Sequence, residues 1–464
     1  MTGLIRRIEV EIDEPRLSQL PKPQLDVLTT GSNGIGEIVC GNLKTCVLGI
    51  VGAKDDPQNT EMLPQEYPDF RVKLRRDRQT LRLILENSPA DAFPGGQITA
   101  SKRLQVTAAI RDIVFQAANQ DQAETPEQRT ALVHEMLRDA GALNPTYYIV
   151  RNSRKQLERI VCWGGHSIGP VEYDFNVDVG KEFGLQHMEV ITGGGPGIMR
   201  GSMKGNVKGL RQQNIDGRQI GITCPEIITV EPPNSWLNRL VIMPDMEKRL
   251  EAFARTANGI AIFPGGAGTG EEFLTALSIK LHPQNKNQNL PMALVGPRES
   301  AGYFAALDDF ACTIFGKKIR NQYCTMLGDP EQTASWFKKQ MTKVRGSRDK
   351  HNDDYLWNDS LHFPKELQVP FEPTYKNVGA LQLHAEQEIY TLAAEIRKLF
   401  KTVVFSSVIQ QGRECIKQNG KFQIGGDKRI VCAFDALLKR FIEEKRIHVD
   451  AYEPCYEFVD KTAA

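Results

Sequence analysis

Short apolar runs that end in glycine or proline dominate the middle of the chain. They are RIVCWGG (159–165), MEVITGGG (188–195), QIGITCP (219–225), RLVIMP (239–244), GIAIFPGG (259–266) and PMALVG (291–296). Runs of this kind, alternating with helical stretches, are typical of parallel strands that are buried on both faces. The pattern predicts a doubly wound α/β domain, in which ligands bind outside the carboxyl ends of the strands.

The segments on either side of this region mix helix and strand patterns. EQRTALVHEMLRDAGAL (127–143) has helical spacing that ends at Gly141, and HAEQEIYTLAAEIRKLF (384–400) predicts a second long helix. TVVFSSVI (402–409) predicts a strand, and RIVCAFDALLKRFIEE (429–444) predicts a strand followed by a helix. Both flanks are therefore predicted to be α+β domains.

A polar, charged stretch at 338–360 lacks apolar periodicity and predicts a surface connection. We place the domain boundaries accordingly, with an N-terminal domain over 1–146, a central Rossmann-like domain over 147–340 and a C-terminal domain over 341–464. Six cations of the connection are candidates to hold a phosphorylated effector or, alternatively, form a solvated face: Lys338, Lys339, Lys343, Arg345, Arg348 and Lys350.

Composition narrows the classes of function. Of the 464 residues 41% are hydrophobic and 25% charged, which is ordinary for a folded soluble protein. A formal net charge of +1 gives no general attraction for nucleic acid or an anionic membrane. No apolar run has the length of a membrane span or of a secretory signal, so we predict a cytoplasmic protein. The nine cysteines form no CxxC pair and predict reduced core thiols, with no metal site and no cofactor.

Three glycine-rich turns follow predicted strands. They are WGGHSIG (163–169), GGGPGIMRG (193–201) and PGGAGTGEE (264–272). None contains GxxxxGK[ST], and neither of the last two matches GxGxxG, which argues against Walker-type ATP hydrolysis and standard dinucleotide binding. Glycines at the start of a helix let a phosphate approach the backbone N–H groups. Three such turns favour a phosphate-containing ligand, although tight turns alone also require glycine.

The spacing of Thr269 and Glu272 allows two interpretations. S/T-x-x-E is the pattern of a capping box, in which Thr269 caps the helix and Glu272 reaches back to it. Alternatively, Glu272 faces a substrate. In both interpretations Glu271 is a favourable charge in the first helical turn.

Arg249 lies in MPDMEKRLEAFARTAN (243–258), where Asp245 is a candidate helix cap. The apolar face of this helix is predicted to contain Leu250, Phe253, Ala254 and Ala257. Arg249 falls in the first turn, at the edge of that face. Its donors suit a carboxylate or phosphate, whereas a solvent-facing or Glu-paired arginine is the structural alternative.

PGGAGTGEE fits the PGGxGTxxE pattern of the LOG ("Lonely Guy") family of phosphoribohydrolases, and MEKR (246–249) resembles the arginine-bearing segment that precedes it. The resemblance covers residues 148–330. Leu250 stands where the family has a lysine, which counts against a narrow cytokinin-activating role.

With its flanking domains the whole sequence is similar to the longer bacterial nucleosidases that act on nucleoside 5'-monophosphates. This resemblance implies hydrolysis of the N-glycosidic bond to free base and ribose 5-phosphate. It also implies a homo-oligomer, expected to be a tetramer, and stimulation by the alarmones (p)ppGpp. Residues 1–146 would then serve regulation and oligomerisation.

The resemblance also implies roles for individual residues. Glu272 and Arg249 would be the catalytic pair, with the carboxylate close to C1' of the ribose. Residues that would bind the phosphate or line the cleft are Gly265, Gly266, Gly268, Thr269, Gly194, Gly195 and Gly197. For the general acid of the departing base, His166 and Asp174 are candidates.

Three other functions remain open on the sequence. The chain could be a non-catalytic nucleotide-binding sensor, although a pure binder has little need of a carboxylate beside a phosphate. It could be a cytokinin-type phosphoribohydrolase. It could also transfer the ribosyl group to a second base through a covalent intermediate on Glu272.

Overall fold

The structure is a computed structural model that describes residues 4–12, 34–53, 63–77, 80–119, 123–407, 409–447 and 453–459. It divides into two units. The first unit comprises Met1–Asn144, Thr192–Pro196 and Arg218–Ala252, and the second comprises Pro145–Ile191, Gly197–Gly217 and Phe253–Ala464.

The described residues contain strands at β1 (Leu4–Ile12), β2 (Arg71–Asp77), β3 (Thr80–Pro89), β4 (Tyr147–Val150), β5 (Ser153–Gln156), β6 (Glu158–Trp163), β7 (Met188–Thr192), β8 (Gln219–Thr223), β9 (Arg239–Ile242), β10 (Gly259–Ile262), β11 (Met292–Gly296), β12 (Cys324–Leu327), β13 (Phe422–Ile424) and β14 (Tyr456–Phe458).

Their helices are α1 (Gly34–Gly52), α2 (Leu63–Glu66), α3 (Ala100–Ala118), α4 (Pro126–Asp139), α5 (Pro170–Leu185), α6 (Ile198–Gln212), α7 (Met246–Thr256), α8 (Ala267–Leu281), α9 (Ala301–Phe315), α10 (Pro330–His351), α11 (Tyr375–Gly379), α12 (Ile389–Ser407), α13 (Gln410–Asn419) and α14 (Lys428–Glu443).

A seven-stranded sheet carries the Rossmann-like fold, in the order β12-β11-β10-β6-β7-β8-β9. All six predicted strands are present, and all but the start of β9 are completely buried, as expected for strands covered on both faces. The edge strand β12 was not predicted, because it is short and only half-buried. The strand order reverses between β6 and β10, which pair in parallel, with Ile262 opposite Trp163. This reversal is the topological switch point where doubly wound folds bind ligands.

The first unit also contains a three-stranded antiparallel sheet in the order β1-β3-β2. The predicted helix that ends near Gly141 is confirmed as α4. Thr125 and Gln128 form a capping box at its start, and Gly141 takes a φ of 68° just after its end.

Two strand predictions in the C-terminal region were wrong. Residues 402–407 continue α12, and residues 429–443 lie in the single helix α14. In α14, Ile430, Phe434 and Phe441 are buried at helical spacing and form one apolar stripe. The short apolar runs at these places belong to amphipathic helices and not to strands.

The stretch at 338–360, predicted as a surface connection, is helical over its first part, since residues 330–351 form the continuous helix α10. Three of its cations have structural partners. Lys338 and Arg345 bind the carboxylate of Glu158 at 2.7 and 3.1 Å, and buried Arg348 donates to the carbonyl of Ala257. The other three cations of the cluster are exposed, as in the solvated-face alternative: Lys339, Lys343 and Lys350.

None of the nine cysteines, all of which the structure describes, forms a disulfide, but only Cys46, Cys162 and Cys224 are buried. The prediction of core thiols was therefore wrong for the other six, and Cys432 is exposed.

Within the described ranges, no helix has both the length and the apolar character needed to cross a membrane.

Candidate functional site

The first and third glycine turns meet beyond the carboxyl ends of β6 and β10. The N–H of Gly165 donates to the carbonyl of Pro264 at 3.0 Å. A β-carbon on Gly165 would lie 2.8 Å from Cα of Gly265, so the two turns touch through their backbones. Gly197 joins them, since it has a φ of 60° and a β-carbon there would lie 2.5 Å from Cα of His166. The second unit therefore brings together one glycine of each turn at the switch point, and two of them, Gly197 and Gly265, are predicted site residues.

The third turn opens directly into α8, and no side chain caps this helix. Gly266 is the N-cap residue, and Ala267 is the first helical residue. The first N–H groups of a helix have no intrahelical partners and lie at the positive end of its dipole. Gly268, in this first turn, is exposed, and a β-carbon there would meet nothing within 4 Å. A helix start with this geometry suits an anion such as a phosphate.

The capping-box interpretation of Thr269 and Glu272 was wrong. Gly266 takes the N-cap position three residues earlier, so Thr269 is the third helical residue and Glu272 the sixth. Thr269 is 3% exposed, and its Oγ1 lies 2.1 Å from where a β-carbon of Gly265 would be. The Thr269 hydroxyl therefore packs under the turn. Half-buried Glu272 lies beyond the first helical turn and cannot cap it.

Glu271 is not a first-turn charge either. It is the fifth residue of α8, and its side chain is buried. Nη1 of Arg397, in α12, donates to its Oε1 at 3.2 Å. The two adjacent carboxylates of this helix thus lie in different surroundings.

In the first unit, Gly194 and Gly195 are held by one side chain. Nδ2 of the buried Asn234 donates to their carbonyls at 2.7 and 2.9 Å. Gly194 has a φ of 80°, which favours glycine, and a β-carbon there would lie 3.2 Å from Leu237. Local packing therefore explains much of this turn.

Arg249 is 4% exposed, which rules out the solvent-facing alternative. Asp245 caps α7 as predicted, accepting a hydrogen bond from the N–H of Lys248 at 2.9 Å. Nε of Arg249 donates to the carbonyl of Ile222 in β8 at 3.0 Å, and Nη2 lies 4.0 Å from the Glu231 carboxylate. The guanidinium is thus fixed at the carboxyl end of β8. Leu250, at the lysine position of the LOG pattern, is a core residue that is 1% exposed.

Comparison with known proteins decides the family. A protein of Escherichia coli strain K12 called pyrimidine/purine nucleotide 5'-monophosphate nucleosidase is 38% identical over 453 residues, which are 95% of this chain and 96% of that protein. The chain belongs to this nucleosidase family. It is therefore an enzyme, an N-glycosyl hydrolase.

Three family models match consecutive parts of this nucleosidase. The model for pyrimidine/purine nucleotide 5'-monophosphate nucleosidases matches residues 14–120, and the C-terminal model of the same family matches 341–459. Between them, the model described as possible lysine decarboxylase matches 203–334. The flanking segments thus belong to the family as much as the central sheet does.

Among solved structures, the molybdenum cofactor binding protein of Rippkaea orientalis is 20% identical with a TM-score of 0.29, and it covers 39% of the nucleosidase and 96% of its own chain. The molybdenum cofactor carrier protein of Chlamydomonas reinhardtii is 16% identical with a TM-score of 0.28, over 40% and 99% of the two chains. Similarity this low supports no functional inference.

A charged cluster that sequence reasoning missed supports the glycine turns of the nucleosidase. Glu172, in the first turn of α5, accepts hydrogen bonds from Arg446 at 2.6 Å and from Ser300 at 2.7 Å. Burial alone would raise the pKa of Glu172, but these two donors outweigh it and lower the pKa. The carbonyl oxygen of Arg446 also lies 2.7 Å from where a β-carbon of Gly266 would be. Pro170 and Glu172 mark a helix start in the sequence, but the partner of Glu172, Arg446, lies 274 residues away.

The two candidate general acids are both at the surface. His166 is exposed in the first glycine turn, and Asp174 is exposed on α5. Their roles stay predictions.

Proposed function

We propose that this nucleosidase hydrolyses AMP, GMP, IMP, CMP and UMP to the free base and ribose 5-phosphate, and that (p)ppGpp stimulates it. The observation that carries the proposal is the start of α8, where an uncapped, glycine-lined helix terminus is followed by the half-buried carboxylate of Glu272. The first feature suits the 5'-phosphate and the second suits the ribosyl centre. The E. coli relative, named as a nucleotide 5'-monophosphate nucleosidase, supports the same substrate class.

In the proposed reaction, water adds to C1' and the bond between C1' and the base nitrogen breaks. The bonding electrons leave with the base, which gains a proton, and the attacking water loses one. The transition state has oxocarbenium character, so positive charge develops on the sugar. The Glu272 carboxylate stabilises this charge, holds the ribose hydroxyls or orients the water. Arg249 supplies a fixed cation for an anionic group of the reaction.

We further propose that the phosphate is held by N–H groups of the residues from Gly265 to Thr269. The protein's own packing explains the glycines at 265 and 266, because a β-carbon there would collide with Thr269 and with the Arg446 carbonyl, respectively. It does not explain Gly268, where the space is open and the backbone is helical. A ligand that approaches this backbone closely supplies the missing reason.

Gly268→Ala tests this assignment. Alanine is the better helix former, so we expect the free energy of unfolding to rise by about 0.5–1 kcal/mol. The added methyl group would meet the phosphate, so the KM for AMP should rise about tenfold or more. Gly346→Ala is the matched control, since Gly346 also lies in a helix with open space around it, and KM should not change there. An unchanged KM in a stabilised Gly268→Ala variant would show that the phosphate binds elsewhere.

For the assembly and location of the nucleosidase we propose a cytoplasmic homotetramer, with residues 1–146 serving oligomerisation and regulation. Truncation before residue 147 should then change both the molar mass in solution and the response to (p)ppGpp. A shortened chain that keeps both would contradict this part of the proposal.

The experiment that tests the activity is a substrate panel. The purified full chain is incubated with each of the five nucleoside 5'-monophosphates, with and without (p)ppGpp, and free base and ribose 5-phosphate are quantified. We expect base release from the panel and a higher rate with (p)ppGpp. A chain that binds the nucleotides and releases no base would instead be a sensor. Base exchange with an added second base, without net ribose 5-phosphate, would indicate a transferase.

A further inference from the structure

Helix α8, which carries Glu272, is packed against α12 of the C-terminal region. A β-carbon on Gly270 would lie 2.7 Å from Cε1 of Phe400, so the two helices approach as closely as glycine allows. Two turns further along, Oγ of Ser278 donates to the carbonyl of Tyr390 at 2.7 Å. These contacts fix the distance between the two helices at both ends of their interface.

A buried ion pair lies within this interface. Arg397 is 0% exposed, and Glu271 is 3% exposed, with 3.2 Å between Nη1 and Oε1. Charges removed from water in this way require close pairing, because neither is stabilised in the interior alone. Apolar residues of similar volume often serve stability equally well, so a buried pair is weak evidence for stability alone. Its consequence here is geometric, since the Glu271 carboxylate has to face Arg397.

That constraint acts on the neighbouring carboxylate. With 3.6 residues per turn, adjacent side chains on an α-helix point about 100° apart. When Glu271 is held against α12, the rotation of α8 about its axis is set, and with it the direction of Glu272. No capping side chain at the start of α8 contributes to this orientation.

We propose that Arg397 is a positioning residue for the reaction, which acts through Glu271 to aim the Glu272 carboxylate. This inference rests on the proposed role of Glu272. It gives the C-terminal region a direct part in turnover, beyond its part in the fold. Phosphate binding depends on the backbone at the start of the helix, so Arg397 should affect turnover far more than affinity.

The test replaces both charges, with Glu271→Leu and Arg397→Met in one full-length chain. Removing both avoids leaving one buried charge unpaired, so the variant should fold, and thermal unfolding checks this. We expect kcat to fall on the order of 10²-fold, the effect of a small misplacement of a reacting group, with KM for AMP within about threefold. Arg397→Lys in an otherwise unchanged chain keeps the cation, and its kcat should lie between those of the wild type and the double variant.

A second buried pair of the same unit is the matched control. Nε of Arg159, in β6, donates to Glu189, in β7, at 3.4 Å, with exposures of 0% and 1% for the two side chains. Both residues lie near the amino ends of their strands, away from the glycine turns. Arg159→Met with Glu189→Leu should keep the wild-type kcat in the folded protein.

Several outcomes would overturn the inference. The first is a folded Glu271→Leu and Arg397→Met variant with kcat within about threefold of the control variant. The second is an equal loss of kcat in both double variants. If the variant with Glu271→Leu and Arg397→Met does not fold, the single variants Arg397→Lys and Glu271→Gln replace it in the test. Wild-type turnover by both folded single variants would also overturn the inference. Glu272→Gln separates the proposed role of Glu272 from the proposed role of Arg397. If Glu272→Gln stays active, the proposed role of Glu272 fails. If Glu272→Gln is inactive while the Arg397 variants are active, only the inference on Arg397 is refuted.

Discussion

Glu272→Gln should reduce kcat for AMP hydrolysis by about 10²- to 10⁴-fold while the protein stays folded. Glutamine keeps the size and the hydrogen-bonding shape of the side chain but removes its negative charge. A neutral amide cannot stabilise positive charge on the sugar or accept a proton from water. Because Gly266 and not Thr269 is the N-cap residue of α8, Glu272 is not part of a capping box, and its substitution should not remove a helix cap. The measurements are steady-state kinetics and a melting curve.

The matched control is Glu331→Gln. Glu331 is an exposed acid in the first turn of α10, in the same unit, and its substitution should leave kcat unchanged. Turnover by Glu272→Gln at the rate of this control would remove Glu272 from the chemistry. A lowered melting temperature with normal turnover would instead give Glu272 a structural role.

Arg249→Met should reduce kcat/KM by about 10²- to 10³-fold, the range found when one preorganised electrostatic donor is removed from an active site. Methionine fills similar space and leaves the Ile222 carbonyl without its Nε donor, so some stability is lost as well, about 1–3 kcal/mol. Arg249→Lys keeps the charge but not the planar fork of donors, and it should recover only part of the activity. Steady-state kinetics of Arg249→Met and Arg249→Lys give kcat/KM, and chemical denaturation gives the free energy of unfolding.

Arg255→Met separates catalysis from stability. Arg255 lies on the same helix, is also buried, and donates to the backbone carbonyls of Asn358, Asp359 and Leu361. Its loss should destabilise the protein to a similar degree without affecting the rate per folded molecule. If Arg249→Met and Arg255→Met lose the same fraction of activity, the effect of Arg249 comes from folding and not from the reaction.

The sequence predicted the parts of the fold that are set by local patterns. Six buried strands follow from their apolar runs, and Asp245 follows from its position before a helix. The start of α8 could not be predicted in this way. Thr269 has the better N-cap side chain, but the close contacts of Gly265 with Thr269 and Gly165 set where the helix begins. Those contacts depend on the meeting of two turns about 100 residues apart in the sequence.

Charged residues were the hardest to place, because their partners are distant in the sequence. Glu271 pairs with Arg397, which is 126 residues away, and Glu172 pairs with Arg446, which is 274 residues away. Lys338 lies in a stretch whose polar composition is typical of a solvated surface, and it pairs with Glu158, which is 180 residues earlier in the sequence. In each case the carboxylate lies between residues 158 and 271, and its cation is at residue 338 or later. Composition and spacing carry no information on such pairs.

In the proposed reaction the bond between sugar and base is broken, at the helix that carries Glu272. The most direct measurement follows AMP incubated with the full chain by proton and phosphorus NMR, beside Glu272→Gln purified in the same way. We expect adenine and ribose 5-phosphate in equal amounts from the wild type, with no inorganic phosphate, and little of either product from the variant. Adenosine with inorganic phosphate, equal product from both proteins, or no product from the wild type with or without (p)ppGpp would contradict it.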